Sequence, residues 1–181
     1  MQLTSEQQRI VRSGAARLAV QAGAGAAKTT TLCAYAQARP ECRVLYVAFN
    51  KAIQLEAATR MPANVSARTT HSLAYRKARD LFGDRAGERI GSTYPSTVSR
   101  AFGCTPLAAT AALQAIQKWC GSLEAELGSE HLPVDVASRL PDPAGLVALA
   151  RAVWKRMVDA NEHEIRLTHD GYLKLYQMDR P

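Results

Sequence analysis

The sequence predicts an α/β fold: a parallel sheet flanked by helices, followed by an all-helical stretch. Three observations carry this. Residues 1–80 alternate short apolar runs with helical segments, in the order strand–helix–strand–helix–strand, which requires parallel strands with helices on the faces. Residues 81–165 contain no strand signal. Within them, Leu146, Leu149, Ala150, Val153, Trp154, Met157 and Val158 recur at i, i+3, i+4, i+7, i+8, i+11 and i+12, the stripe of an amphipathic helix. A length of 181 residues suits one packed domain, or one domain carrying a small insertion.

Thr4 followed three residues later by Gln7 forms a capping-box pattern and opens a helix over 5–13, ended by Gly14. Arg17–Gln21 reads as a short buried strand that runs into the glycine-rich turn Ala22–Ala27. A helix follows from Lys28 to about Ala38, with Pro40 as its stop. Arg43–Phe49 is the clearest strand, apolar enough to be buried on both faces. Asn50–Arg60 is helical, Val65–Arg68 a strand, and Thr70–Asp80 a helix. Phe82–Gly103 is rich in Gly, Ser, Thr and Arg and lacks a clear period. Thr105 then caps a helix with Pro106 at its first position, running to about Cys120. Leu132–Pro143 holds three prolines and reads as a connector. Asp142 and Pro143 start the amphipathic helix, and a short helix over 170–177 completes the chain.

The composition narrows the function classes. Of the 47% hydrophobic residues, 32 are alanines and aromatics contribute only 6%, which implies a finely packed, helix-rich core and excludes disorder. No apolar run approaches a membrane span and no signal peptide opens the chain, so the expectation is a soluble cytoplasmic protein without a membrane partner. Cys33, Cys42, Cys104 and Cys120 match no zinc or redox spacing and read as reduced thiols, two of them in buried segments. The net charge of +7 is uneven: residues 1–80 hold 12 Lys/Arg against 4 Asp/Glu, and residues 81–181 hold 11 against 12. A basic half beside a neutral one points to a polyanion-facing surface, with a generally basic solvated surface as the plainer reading.

The sharpest local signal is Ala22-Gly23-Ala24-Gly25-Ala26-Ala27-Lys28-Thr29, between a strand and a helix. Glycines let the backbone wrap a phosphate with its amides. A lysine reaches the β/γ-phosphates, and a Ser/Thr hydroxyl binds Mg²⁺ at the helix N-terminus. Lys28 and Thr29 stand where those roles require. The pattern is degenerate, because Ala27 occupies the place of the glycine before the lysine and Ala22 the place of the first glycine. The plainer reading is an Ala/Gly-rich turn without a nucleotide.

Four stretches, in order, resemble superfamily-one DNA helicases of the UvrD/Rep type, and most closely their F-box DNA helicase relatives. They are Leu3-Thr4-Ser5-Glu6-Gln7-Gln8 (Q motif), Ala22–Thr29 (Walker A), Val44–Ala52 (motif Ia) and Ala67-Arg68-Thr69-Thr70-His71-Ser72-Leu73 (the following DNA-contact motif). The resemblance is strong over somewhat less than half of the chain and looser over Thr168–Gln177. It implies a partial RecA-like P-loop domain over 1–80, an all-helical inserted subdomain over 81–165, and a return segment over 166–181 that leads toward a Walker B strand.

By the same resemblance, Gln7 reads adenine through its side-chain amide. The segment Gly23, Ala24, Gly25, Ala26, Ala27, Lys28, Thr29 and Thr30 holds the phosphates of ATP, and Thr29 holds Mg²⁺. Phe49 stacks on a single-stranded base. Asn50, Thr70 and His71 bond the DNA backbone, while Lys51 and Arg68 add charge. Plainer roles stay open: Phe49 in the core, His71 at a helix cap, Gln7 as the capping-box partner of Thr4. The departures matter too. No Asp-Glu or Asp-Asp pair occurs, so no catalytic set is complete, and Ala27 weakens or abolishes ATP and Mg²⁺ binding.

The expected function is the N-terminal ATP- and DNA-binding portion of such a helicase, truncated before Walker B and unable to hydrolyse ATP or unwind alone. Its partners would be single-stranded or junction DNA and a protein that completes the missing domains. The alternative is a non-enzymatic helicase mimic that binds DNA or a helicase partner and blocks or regulates it. A small-molecule P-loop kinase would leave Phe49-Asn50-Lys51 and Thr70-His71-Ser72 unexplained.

Overall fold

The computed structural model describes residues 2–134 and 142–179. The chain is α/β and mostly helical, and it divides into two units, Met1–Thr70 and His71–Pro181. The predicted connector at Leu132–Pro143 lies largely outside the described residues.

The first unit holds α1 (Ser5–Arg12), α2 (Lys28–Gln37), β1 (Val44–Ala48), α3 (Lys51–Arg60) and β2 (Val65–Thr69). The two strands pair in parallel, from Val44 beside Val65 to Ala48 beside Thr69. Both arms of the capping box on α1 are made: the Gln7 N–H donates to Thr4 Oγ1 at 3.3 Å and the Thr4 N–H to Gln7 Oε1 at 2.9 Å. Polar ties do much of the packing here. The Asn64 side-chain amide donates to the carbonyls of Ala36, Arg39 and Cys42, closing the end of α2 onto the start of β1. The Arg39 guanidinium donates to Val11 and Ser13 at 2.8 Å each and covers the Tyr35 ring, fastening α1 to α2. The buried apolar residues are small: Ala36, Ala48 and Ala57.

Two expectations are corrected in this unit. Arg17–Gln21 is not a strand. It has no bridge partner, and Leu18 and Val20 are half exposed. An apolar run becomes a strand only where a neighbouring strand offers a ladder, and none described lies beside it, so the sheet has two strands. Nor is β1 buried on both faces: Leu45 and Val47 stay half exposed, beside Ser66 and Arg68 of β2 in the register. No second layer covers that face among the described residues.

The second unit is helical. After α4 (Thr70–Phe82) come α5 (Ala86–Arg89), α6 (Pro95–Phe102), α7 (Pro106–Cys120), α8 (Pro143–Val158) and α9 (His169–Met178). Among its described residues the β pairing is an isolated parallel bridge, Ile90 to Leu167. Ala109, Ala112, Ala115, Ile116 and Trp119 of α7 are buried with Leu146, Ala150, Val153 and Met157 of α8, as the periodicity predicts. Trp119 and Trp154 meet edge to face at 4.9 Å. Side-chain caps set the helix starts: Thr105 accepts from the Ala108 N–H, Asp142 from Gly145 and Thr168 from Gly171. The unpatterned stretch 82–103 contains α6, begun by Pro95 and closed by Gly103 in the left-handed region. Among the described residues no helix is long and apolar enough to cross a membrane.

Among the described residues of this unit, Arg89, Lys174 and Glu162 are buried charged side chains. Arg89 donates to the carbonyls of Ile165, Met157 and Asp159, which holds the Ile90–Leu167 bridge in place. Lys174 donates to Ser122 at 3.0 Å and Glu124 at 2.6 Å and lies over the Trp119 ring. Glu162 accepts from Arg156 and from the amides of His163, Glu164 and Ile165. The four cysteines are free thiols, and only Cys120 is buried, its thiol pushed up to about 12 by burial. The second buried cysteine expected from the sequence is absent: Cys42 is exposed, and Cys33 and Cys104 are half-buried.

Candidate nucleotide and nucleic-acid sites

In the first unit, α1, the extended residues before the glycine turn and the start of α2 enclose a cleft of about 590 Å³. Thr4, Gln7 and Ile10 line one side, Val20 to Ala22 a second, and Ala26, Ala27 and Lys28 a third. The volume lies within the range of small-molecule sites, and apolar walls with a few polar groups are what a base and its phosphates require. The capping box that fixes α1 therefore also presents Gln7 to this cleft, using its Oε1 and leaving Nε2 outside the cap.

The turn itself is shaped by two residues with positive φ, Gly25 at 76° and Ala27 at 52°. Ala27 also has ψ 38° and is the N-cap of α2, where its side chain can make no capping bond. Among the described residues it is the only non-glycine with positive φ. Ala27 thus holds a left-handed backbone conformation that glycine adopts without a Cβ penalty. Lys28 Nζ folds back onto the loop and donates to the carbonyls of Gly23 at 2.7 Å and Ala22 at 3.4 Å.

Of the nucleotide-binding residues expected from the sequence, Gln7, Ala26, Ala27 and Lys28 line this cleft. Gly23, Ala24, Gly25, Thr29 and Thr30 do not. Thr29 and Thr30 face a separate cavity of about 310 Å³ with Leu3 and Cys33. Thr4, Ile10, Val20, Gln21 and Leu32 were not singled out as site residues. Thr4 belongs to the Q motif and its capping box, whereas Ile10, Val20, Gln21 and Leu32 carry no motif of their own. Among the described residues no group of three or more His, Cys, Asp or Glu side chains stands ready for a metal.

The residues expected from the sequence to contact nucleic acid fall in both units. Phe49 follows β1 and is 88% exposed, which excludes a core role. Asn50 is the N-cap of α3, its Oδ1 accepting from the Ile53 N–H at 2.9 Å, and Lys51 Nζ donates to Gln54 Oε1 at 2.8 Å. Arg68 is exposed on β2, on the same sheet face as Val47. Thr70 opens α4. His71, which begins the second unit, has its Nε2 4.0 Å from Asp170 Oδ1 and its ring edge-on to His169 and Tyr172.

Comparison with known proteins agrees with these motifs. The chain is 30% identical over 200 aligned residues to F-box DNA helicase 1 of Gallus gallus, covering all of this chain and 20% of that protein. It is 29% identical over 199 residues to F-box DNA helicase protein 1 of Schizosaccharomyces pombe, covering 97% of this chain and 22% of the relative. The chain thus spans about a fifth of the length of the curated relatives it matches. No protein-family model matches it, and no solved structure does. Along its whole length, this chain is a homologue of the F-box DNA helicases.

Proposed function

We propose that this chain is the ATP- and DNA-binding portion of a helicase of this kind, with a weakened phosphate loop, and that it neither hydrolyses ATP nor unwinds DNA by itself. The observation that carries this reading is the single cleft where Gln7 of the capping box meets Ala26-Ala27-Lys28 of the glycine turn. In it the base would lie against Ile10, Val20 and Leu32. The phosphates would meet the N-terminus of α2 and draw Lys28 off the Gly23 carbonyl. ATP would bring Mg²⁺ with its phosphates; Thr29, at the first turn of α2, faces the neighbouring cavity, so its hydroxyl would have to turn toward the phosphates to reach the ion. The chain has no Asp-Glu pair with which to activate water.

For DNA, the first unit offers an exposed aromatic, Phe49, and the cations Lys51 and Arg68. Exposed aromatics with nearby cations suit single-stranded nucleic acid, which they bind without reading sequence. We assign residues 1–80 to the RecA-like core, 81–165 to its helical insertion and 166–181 to the segment returning toward Walker B. A further protein, or a further stretch of chain, would complete the machine.

The test is calorimetry with ATP and Mg²⁺ on the chain and on Ala27→Gly, together with single-stranded DNA binding across a salt series. ATP binding that strengthens in Ala27→Gly, and DNA affinity that falls steeply with salt, are the expected results. If neither form binds ATP, the nucleotide reading fails; if nothing binds DNA at low salt, the DNA reading fails.

Two geometric features favour a second reading, a non-enzymatic mimic that binds DNA or a helicase partner and blocks or regulates it. Lys28 already satisfies its charge on the loop carbonyls, and the Ala27 methyl sits in the turn. A loop released from catalysis would tolerate both. Persistent DNA binding with no ATP binding in either form would select it.

A further inference from the structure

We propose that Asp170 and Tyr172, at the start of α9, are positioning residues that hold His71 as a hydrogen-bond donor to a nucleic-acid phosphate. The inference rests on the reading of His71 as a DNA-backbone contact. It concerns only the second unit, where three side chains, Asp170, His169 and Tyr172, converge on that ring. The Asp170 carboxylate lies 4.0 Å from Nε2. His169 and Tyr172 meet the ring edge-on, with centroids at 6.2 Å and 5.9 Å. Tyr75, one turn further along α4, packs edge-on against Tyr172 at 6.0 Å, and the Tyr172 hydroxyl is 3.2 Å from His169 Nδ1.

The support beneath is fixed. Tyr172 is buried, and the first turn of α9 is pinned by the Thr168 hydroxyl accepting from the Gly171 N–H at 3.0 Å. His71 itself keeps 43% of its side chain open to solvent. The ring is therefore flanked by α9 and still partly open to solvent.

That division has a chemical consequence. A neutral imidazole has one N–H; the Asp170 carboxylate, 4.0 Å from Nε2, is beyond hydrogen-bond reach but favours the proton on that nitrogen, and Nδ1 can then only accept. Nδ1 donates to a phosphate only when the ring carries both protons. Asp170 then supplies the counter-charge on one side and the phosphate on the other. The charged and titratable groups that face His71 are His169, Asp170 and Tyr172 from α9; Tyr75 from α4 faces Tyr172. An orienting carboxylate and a merely neighbouring one predict opposite signs. A carboxylate beside a phosphate backbone normally repels it, so removing it should tighten binding. Removing one that orients the donor should weaken it.

The experiment is fluorescence anisotropy of the full chain with a labelled single-stranded oligonucleotide at low salt, between about pH 5 and 8. Wild-type affinity should fall as pH rises. Asp170→Asn should weaken binding about tenfold at the acid end and flatten the profile. His71→Ala should abolish the pH dependence, and Asp170→Asn should then add nothing, a coupling that a remote structural effect would not show. Tighter binding or an unchanged pH profile in Asp170→Asn, while His71→Ala still weakens binding, would overturn the inference and leave the DNA reading intact. A pH dependence that persists in His71→Ala belongs to His169 and overturns it as well. Wild-type protein that shows no salt-sensitive binding removes the DNA reading, and this inference with it.

Discussion

Lys28 Nζ donates to the carbonyl oxygen of Gly23 at 2.7 Å, so the lysine that a phosphate loop would use is hydrogen-bonded to its own loop. The bond holds the turn in the shape that places Ala27 at φ 52° and ψ 38°. An L-residue in that region crowds its Cβ against the following carbonyl, while glycine does not.

Ala27→Gly should therefore raise stability rather than lower it, by about 1 kcal/mol, despite the greater freedom glycine gains in the unfolded chain. Thermal unfolding reads this directly. A lower melting temperature in the glycine variant would show that Ala27 is not strained. Repeating the melts with ATP and Mg²⁺ separates the loop from the ligand. The glycine variant should gain more from ATP than wild type does, because binding to the folded state alone adds stability.

Phe49→Ala should leave the melting temperature unchanged, because the ring is 88% exposed and contributes little to the core. Its effect should appear in single-stranded DNA binding, as a loss of about 1–3 kcal/mol if the ring stacks on a base. Equal affinity in the two proteins would remove Phe49 from the interface.

The elements legible in the sequence were those fixed by local rules. The Thr4–Gln7 box, the caps at Thr105 and Asp142 and the α8 stripe each lie within a few residues of the group they satisfy. Arg17–Gln21 has the hydrophobicity of a strand and is not one, because a ladder partner must lie beside it. Helix α6 went unseen because its Ser/Thr-rich interior masks the period, although Pro95 and Gly103 marked both of its ends. The cleft was legible as two motifs, but the apolar residues joining them were not. Arg89 and Lys174 bond carbonyls about 50 to 76 residues away, a pairing that no local pattern announces.

Lys174 illustrates the cost of such a pairing. It is fully buried, and burial lowers its pKa against the pull of Cys120 and Glu124. The Glu124 carbonyl also accepts from Trp119 Nε1 at 3.1 Å, so it keeps a partner if the lysine is lost. Lys174→Met should therefore leave chiefly the Ser122 carbonyl short of a donor, destabilising the chain by about 1–3 kcal/mol. Amide hydrogen exchange should quicken across 121–128, where the two carbonyls lie. Unchanged exchange there would mean that Lys174 does not hold that segment.

Glu162 sets an acid limit on the second unit. Burial pushes its carboxyl up, but the bonds from Arg156 and from the amides of His163, Glu164 and Ile165 outweigh burial and bring it to about 2, against an ordinary 4.5. Because the folded value lies below the unfolded one, protons bind the unfolded chain more readily. The carboxylate's contribution is therefore complete above about 4.5 and is lost as the pH falls toward about 2. Glu162→Gln keeps the shape but removes the charge, so it should melt at a lower temperature than wild type at neutral pH. Below pH 4.5 the gap between the two should close, because wild-type protein loses the same charge by protonation. Melting curves for both proteins across that interval check the sign. A gap that stays constant down to about 2 would show that Glu162 acts through its packing and not through its charge.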